Sequence, residues 1–406
     1  MIRNVKYLLL LIGSILIFTY CNQPPPTAPQ SLIPSQDLIN AKHTDSDSLN
    51  LSQSSSFYEK QIALGISNRV LLGQNDYSTT DLLYRFNIYI PDTMLTFIKN
   101  NEATITKAWL VMKPSYSLGD STKPYGFTVY QIRSDWGLLG FNRDSLANLQ
   151  YDKNNILLNT PQAGPTTKDS IVAELSPSVV KEWVTYDSTV AGSPKNYGLL
   201  FKPTTQTGRY LGFRASNTDS LKKTNQLSII IHKDSWVTDD TIQVTPWMDT
   251  HIMEKQTLPV SNDRIYLEGL YTIRGFLFFD LNKIPSNVII NKATLTLHYD
   301  ANSSTNGSIP SDTLQVNAIG DSTTMKFNSD STKSSVLYRN NNVFTGDITW
   351  MVQKWIKHDP NYLNEGLTFY FYNSDDTAAR QVFFGSKYAD KALRPKLDLY
   401  YTIKNQ

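Results

Sequence analysis

The chain has 406 residues, with 38 Lys and Arg against 36 Asp and Glu and a single cysteine. Without Arg3 and Lys6, the only charges among the first twenty residues, 36 basic and 36 acidic side chains remain. This balance argues against nucleic-acid binding, and one cysteine excludes disulfide frameworks and metal sites built from several thiolates. The length predicts two or three domains, and a hydrophobic content of 40% is sufficient for folded cores.

Residues 1–21 are typical of an export signal. Two cations precede an uncharged apolar stretch from Tyr7 to Tyr20, which is too short for a spanning helix. Cys21 follows directly and resembles the lipidated cysteine of bacterial lipoproteins, although Tyr20 stands where those signals usually carry a small residue. We therefore expect an exported lipoprotein that is held on the outer membrane or cell surface by acyl chains on Cys21. The alternative is an uncleaved anchor with an incidental cysteine.

Residues 22–56 are rich in Pro, Ser, Gln and Asp and show no sustained periodicity. A segment of this composition buries too little apolar surface to offset the loss of chain entropy. The composition therefore predicts a disordered tether between the anchor and the folded part.

The rest of the chain contains an internal duplication. Six blocks of the first half align in order with six blocks of the second: Ser67–Leu72 with Asn262–Leu267, Ile105–Met112 with Ile290–Leu297, Val180–Trp183 with Val352–Trp355, Asn196–Phe201 with Asn364–Phe369, Arg209–Phe213 with Arg380–Phe384, and Leu227–Ile231 with Leu397–Tyr401. We interpret this order as two copies of one domain, residues 57–235 and 236–406.

Most of the matched blocks are predicted to be β-strands. In Ala293–His298, for example, apolar residues occupy alternate positions, which places one face in a core and the other in water. Turn-rich clusters separate these runs, so an antiparallel two-sheet sandwich is favoured for each copy. Leu175–Trp183 instead has a Ser cap, an early Pro and helical spacing. It predicts a short helix, as does its counterpart Ile348–Trp355, and the tryptophans that end the two helices are predicted to be packing residues.

The second copy carries a signature that can be compared with known families. The string Phe278–Pro285, followed by Val288–Leu297, resembles the opening signature of DNRLRE domains, and Arg394–Leu397 is similar to a later block of that family. The first copy is more divergent, with Asn87 in the place of Asp280. The resemblance implies an all-β fold of two tandem jelly-roll-like antiparallel β-sandwich domains, each with one short helix. Members are secreted or surface proteins, and some are classed as carbohydrate-binding modules. The resemblance therefore implies glycan binding, without a catalytic motif and without locating a site.

The sequence lacks the usual signatures of an enzyme. Its five histidines show no metal-binding spacing: His43, His232, His251, His298 and His358. No nucleophile elbow, phosphate loop or dinucleotide-binding motif is present. The adjacent acids at 239–240 and 375–376 are typical of solvated turns rather than of a glycosidase pair. We predict no catalytic residue and no cofactor, while structural calcium in the loops remains open.

Aromatic side chains on strand faces and loops are the best candidates for ligand contact, because sugar rings stack on aromatic planes. Strand alternation predicts that Trp109, Tyr370 and Tyr372 face outward, and Trp136 lies in a loop of the first copy. An outward Trp can equally be covered by a loop, by the other domain or by a partner.

These observations favour a membrane-tethered, non-catalytic surface lipoprotein that binds or holds extracellular polysaccharide. The main alternative is a structural or adhesive envelope protein that binds other proteins through its sheet faces. A polysaccharide hydrolase or lyase, with its site in the loops of residues 113–172, is the least favoured interpretation.

Overall fold

A computed structural model describes residues 41–60, 64–158, 168–204, 208–219, 224–255, 260–270, 273–327 and 334–403. The predicted signal peptide with Cys21, and the first part of the predicted tether, lie outside these described residues. The fold is mostly β, with 46% strand and 12% helix, and its antiparallel sheets form a sandwich-like arrangement with a few short helices. The prediction of an all-β fold with antiparallel, sandwich-like sheets and short helices is therefore confirmed.

The strands fall into three sheets. Their bounds are β1 Ala41–Asp45, β2 Gln53–Glu59, β3 Arg69–Gln74, β4 Ser78–Phe86, β5 Thr104–Met112, β6 Pro114–Gly119, β7 Phe127–Gln131, β8 Ile171–Leu175, β9 Leu199–Pro203, β10 Arg209–Arg214, β11 Asn225–His232, β12 Asp240–Val244, β13 Pro246–Lys255, β14 Arg264–Glu268, β15 Ile273–Phe279, β16 Val288–His298, β17 Thr313–Asp321, β18 Lys326–Phe327, β19 Ser335–Asn340, β20 Val343–Asp347, β21 Leu367–Phe371, β22 Arg380–Phe384 and β23 Lys396–Ile403. Within the described residues, five short α-helices accompany them: α1 Asp92–Lys99, α2 Arg143–Ala147, α3 Pro177–Val184, α4 Ser216–Asp219 and α5 Thr349–Ile356.

The first half of the chain builds two sheets. A seven-stranded sheet has the order β6-β10-β3-β4-β9-β7, with β13 paired to β4, and a four-stranded sheet has the order β12-β11-β5-β8. The second half builds most of a twelve-stranded sheet with the order β1-β23-β16-β20-β19-β17-β21-β15-β14-β22, in which β18 pairs with β17 and β2 pairs with β15. Its strands β1 and β2 come from the first sixty residues of the chain.

Strand alternation and the two matched helices bury the predicted side chains. In β5 the side chains of Ala108, Leu110 and Met112 are fully buried, and the matched strand β16 buries its alternate residues in the same way. Helix α3 begins at Pro177, and its first turn carries no side-chain cap. The helices α3 and α5 place Trp183 and Trp355 in the hydrophobic clusters of the first and second half.

The predicted tether and domain boundary need correction. Within residues 22–56, β1 and part of β2 are strands; β1 pairs with β23 and β2 pairs with β15, both in the second half. Conversely β12 and β13, assigned by the duplication to the second copy, pair with β11 and β4 of the first. The compositional argument counted only apolar burial, whereas backbone pairing with a sheet satisfies the polar groups of a polar strand.

The two halves also share a core. One hydrophobic cluster contains Leu71, Tyr116 and Tyr210 of the first half together with Ile265 and Leu267 of the second. We therefore use the terms first body for residues 64–235 and second body for residues 260–403. We call β1 with β2 the first strand pair, and β12 with β13 the second strand pair.

Polar contacts reinforce this junction between the bodies. Arg69 donates a hydrogen bond of 2.6 Å from its guanidinium to the carbonyl oxygen of Asp376. The hydroxyl of Tyr116 lies 3.1 Å from the Thr377 hydroxyl. Because these groups are partly or fully buried, each bond is shielded from competing water.

Candidate functional site

The predicted loop aromatic Trp136 is not an exposed platform. Its side chain is 4% exposed, and its indole nitrogen donates a 2.7 Å hydrogen bond to the carbonyl oxygen of Tyr197. It packs with Phe141 and Leu146 in a third hydrophobic cluster, which also contains Leu83 and Leu200 of the first body. The loop after β7 therefore folds back over the sheet, because it carries several apolar side chains of its own.

The predicted aromatic residues of the second body differ in exposure. Tyr370 is 9% exposed, because the guanidinium of Arg274 lies 3.9 Å from its ring centre and Phe327 stacks in parallel at 6.2 Å. The prediction that Tyr370 is accessible is therefore wrong: β18 brings Phe327 over it. Tyr372 is 62% exposed, as alternation predicted.

Trp109 lies on the outer face of the four-stranded sheet and is half-buried, with the ammonium of Lys107 5.6 Å from its ring centre. The structure does not gather the four predicted aromatic residues into one site. They lie on the four-stranded sheet, in a loop of the first body and on β21 and the turn that follows it.

An open cleft at one end of the first body is the strongest candidate site. It has a volume of about 740 Å³. The lining residues come from the end of β7, from α3 and from the loop that leads into β9: Arg133, Glu182, Tyr186, Gly192, Ser193, Pro194, Lys195 and Tyr197. We call it the first-body cleft.

A sharp turn of the backbone at residues 196–198 positions Tyr197 in this cleft. Asn196 donates a 2.8 Å hydrogen bond from its side chain to the carbonyl oxygen of Phe86, and its side-chain oxygen accepts one of 3.0 Å from the amide of Gly198. Gly198 has φ of +98°, and a β-carbon there would lie 2.2 Å from the carbonyl oxygen of Tyr84. Only glycine fits this conformation and this approach, so the chain turns sharply and Tyr197 leaves the sheet before β9 begins.

Two cations flank the Tyr197 ring. The Lys195 ammonium and the Arg85 guanidinium each lie 5.4 Å from its centre. Arg85 also lies 5.7 Å from the ring centre of Trp247, which is 53% exposed, and 2.8 Å from a carboxylate oxygen of Asp135. Such cation–ring contacts help to hold an aromatic ring in place.

The polar floor of the first-body cleft is a small ion-pair network. Arg133 lies 3.2 Å from Glu182 and 3.5 Å from Asp152, and the side-chain amide of Gln131 donates a 3.1 Å hydrogen bond to Glu182. Partly exposed pairs of this kind contribute little stability. Their effect is to fix donors and acceptors at defined positions beside the ring of Tyr197.

The adjacent acids considered above have structural roles. Asp239 lies 2.7 Å from the His232 ring, and the carboxylates of Asp239 and Asp234, which accept hydrogen bonds from that ring, raise the pKa of His232. Burial, together with the charge of Asp375, raises the pKa of Asp376, which accepts backbone and guanidinium hydrogen bonds at the junction of the bodies. Neither pair faces its partner across a cleft as a glycosidase pair does.

Two smaller clefts lie in or beside the second body. One of about 430 Å³ is lined by Asp280, Trp355 and His358 among others, and Trp355 corresponds to Trp183 in the repeat. The other, of about 130 Å³, lies at the junction of the bodies and includes Tyr372 and Arg69. Both are smaller and more enclosed than the first-body cleft.

Sequence reasoning missed Tyr186, Tyr197 and Trp247. The sequence does contain a signal for Tyr197. The two repeats share the Asn and the Gly of the matched Asn-x-Gly block, but the residue between them is Tyr197 in the first repeat and Glu365 in the second. Trp247 lies in an irregularity of β13, where the register shifts between Pro246 and Met248. That irregularity turns its ring outward and could not be read from the sequence.

Within the described ranges, no three His, Cys, Asp or Glu side chains are grouped as metal ligands would be. The helices of these ranges are all too short or too polar to span a bilayer. Comparison of the chain with family models, curated proteins and solved structures returned no match.

Proposed function

We propose that the protein is a non-catalytic surface lipoprotein, anchored through Cys21, that binds extracellular polysaccharide in the first-body cleft. The observation that carries this proposal is the cleft itself: an opening of about 740 Å³ with the rings of Tyr186 and Tyr197 beside the polar groups of Arg133, Glu182 and Lys195.

This combination suits a saccharide. The C–H faces of a sugar ring pack on an aromatic plane, and fixed polar groups select its hydroxyls through hydrogen bonds. Trp247 extends the aromatic surface beyond the cleft, because Arg85 contacts both Trp247 and Tyr197. A surface that continues past the cleft supports contact with several sugar units of a polymer rather than with one free sugar.

The resemblance to DNRLRE domains supports the same class of ligand, and the predicted export signal supports its location outside the cytoplasm. Both remain parts of the proposal. The mostly β, sandwich-like fold is compatible with that family, and it places the first-body cleft among loops, where binding residues are commonly found.

Affinity gel electrophoresis against a panel of neutral and acidic polysaccharides tests the proposal with the chain from Asn22 to Gln406. We expect retardation by at least one polysaccharide, and Tyr197→Ala to weaken it roughly tenfold, since stacking contributes about 1 kcal/mol or more. Tyr338→Ala is the matched control, because Tyr338 is an exposed tyrosine on β19 of the second body.

Two results would contradict the proposal: no retardation by any polysaccharide, or an equal loss in the Tyr197 and Tyr338 variants. Release of shortened sugars from a retained polysaccharide would replace non-catalytic binding with a hydrolase or lyase.

A protein-binding scaffold is the second candidate, and one observation favours it. On the outer face of the four-stranded sheet, Trp109, Val111 and Ile230 are partly exposed and Val172 is exposed. Adjacent apolar side chains on a sheet face are typical of contacts with another protein. Recovery of a stable envelope partner that Val172→Lys abolishes, without polysaccharide binding, would favour this function.

A further inference from the structure

The strand pairs are exchanged between the bodies. The first strand pair precedes the first body in the chain but pairs with β23 and β15 of the second body. The second strand pair precedes the second body but pairs with β11 and β4 of the first body. Each repeat therefore consists of a strand pair and a body, and each body holds the strand pair of the other repeat.

The first strands of the two pairs occupy equivalent positions. In β12, Gln243 lies opposite Ser228, and in β1, Asp45 lies opposite Asp398. Ser228 and Asp398 are the same position of the repeat, since both are second in the matched blocks that begin at Leu227 and Leu397.

The second strands are equivalent as well. In β13, Asp249 lies opposite Tyr84, and in β2, Ser55 lies opposite Leu277. Tyr84 and Leu277 in turn pair with the matched first residues of β9 and β21. Both pairs thus dock at the same two places with the same register, which makes the two docking sites copies of one site.

We propose that the first strand pair is exchangeable and that the second body also accepts the first strand pair of a second copy of this chain, so that copies are joined by strand exchange. The contacts between strand pair and body are the same whether the pair comes from the same chain or from another. The two arrangements differ in entropy: docking within one chain restricts the connecting segment, a cost that changes slowly with length, whereas exchange between copies costs the translational and rotational freedom of a second chain and therefore depends on concentration. The connecting segment between β2 and β3, residues 60–68, spans at most about 30 Å when extended, and this length limits how far the first strand pair can lie from its own first body.

The first strand pair is the one suited to exchange. The side chains of β1 are exposed or half-buried, and none in β2 is fully buried, so backbone hydrogen bonds contribute much of their hold. The apolar contacts of this segment are few: Leu51 between the strands is buried, and Leu49 and Phe57 pack partly buried against the same cluster. By contrast, the second strand pair buries Met248, His251 and Ile252. Segments with few buried apolar contacts open at the lowest free-energy cost.

Side-chain contacts of Lys283 and His43 also hold the first strand pair in its docked position. The ammonium of Lys283 donates hydrogen bonds of 2.9 Å and 2.6 Å to the carbonyl oxygens of Leu49 and Asn50. The ring of His43 stacks on Tyr400 with centres 4.4 Å apart. All of these groups lie near the surface, so they can form equally with a strand pair that arrives from another copy.

Thiol cross-linking tests the proposal in the chain from Asn22 to Gln406, which contains every described residue and no native cysteine. His43 and Tyr400 are directly opposite in the β1 to β23 ladder and both are exposed. One variant carries His43→Cys and another Tyr400→Cys; they are mixed, cycled through partial unfolding in urea, and oxidised. The control mixture combines His43→Cys with Tyr338→Cys, which lies on β19 away from β1.

We expect roughly tenfold more interchain disulfide in the first mixture than in the control, because only directly opposite β-carbons meet the distance that a disulfide requires. The double variant within one chain should give a monomeric cross-link, which shows that the two thiols oxidise in the native pairing. If the double variant cross-links but the mixed single variants stay monomeric, the exchange between copies is refuted. Equal cross-linking in both mixtures refutes it too, because it would reflect random collision.

Discussion

Replacement of the buried His251 should remove most of the acid sensitivity of the fold between pH 7.5 and pH 5. His251 lies opposite Leu82 in the β13 to β4 ladder and has no exposed surface. Neither ring nitrogen has a hydrogen-bond partner among the described residues. Burial lowers the pKa of His251 to about 3, because the charged ring would lose its hydration.

The magnitude follows from linkage. In the unfolded chain a histidine has a pKa of about 6.5, so acid protonates the unfolded state first. The stability that neutral His251 provides is complete above pH 6.5 and is lost progressively as the pH falls from 6.5 towards 3. At pH 5 the loss amounts to about 2 kcal/mol relative to pH 7.5, which is a large part of a typical net stability.

Urea unfolding at several pH values measures this loss. His251→Phe is the natural variant, because Phe57 occupies the same register position in the first strand pair. His251→Leu is a second variant with a smaller side chain, in case the phenylalanine ring is too large for the buried position. His43→Gln is the control for an exposed histidine. We expect the Phe and Leu variants to lose about 2 kcal/mol less than the parent and the control between pH 7.5 and pH 5. If both keep the full loss, the argument from burial fails.

Three further predictions concern stability. Glu268→Gln leaves the buried guanidinium of Arg380 without its carboxylate partner and should cost about 3–5 kcal/mol by urea unfolding, whereas replacing both residues by apolar ones should cost much less. Trp136→Phe should cost about 1 kcal/mol through the lost hydrogen bond to Tyr197, and Trp136→Ala about 3–5 kcal/mol, both by urea unfolding. A chain without residues 41–59 should melt roughly 10 °C lower in calorimetry, and the free peptide 41–59 should restore part of that loss; an unchanged melting temperature would refute the docking of this segment.

Local patterns predicted the local structure of this protein well. Alternation identified the buried faces of β5 and β16, and helical spacing identified α3 and α5 with their buried tryptophans. The order of the repeats was visible as well. What the sequence could not reveal is which body each strand pair joins, because equivalent strands carry equivalent patterns and the choice depends on the connecting segments.

The candidate site was less predictable for a related reason. Alternation gave the correct side of the sheet for Tyr370, but the exposure of a side chain depends on what covers that side, and Phe327 comes from a hairpin more than forty residues away. Trp136 was misplaced because an apolar loop supplied its own core. Tyr197 could be identified only from a difference between the two repeats, because the matched position in the second repeat is Glu365.

The exchange of strand pairs also bears on the first-body cleft. Trp247 and Arg85 are neighbours at the edge of that cleft, yet Trp247 belongs to the second strand pair and Arg85 to the first body. The aromatic surface beside Tyr197 is therefore completed by a segment that the duplication assigns to the other repeat. His251 holds the same strand, four residues further along, in the first body. A single docked strand thus links the stability of the sheet, its response to acid and the extent of the proposed polysaccharide surface.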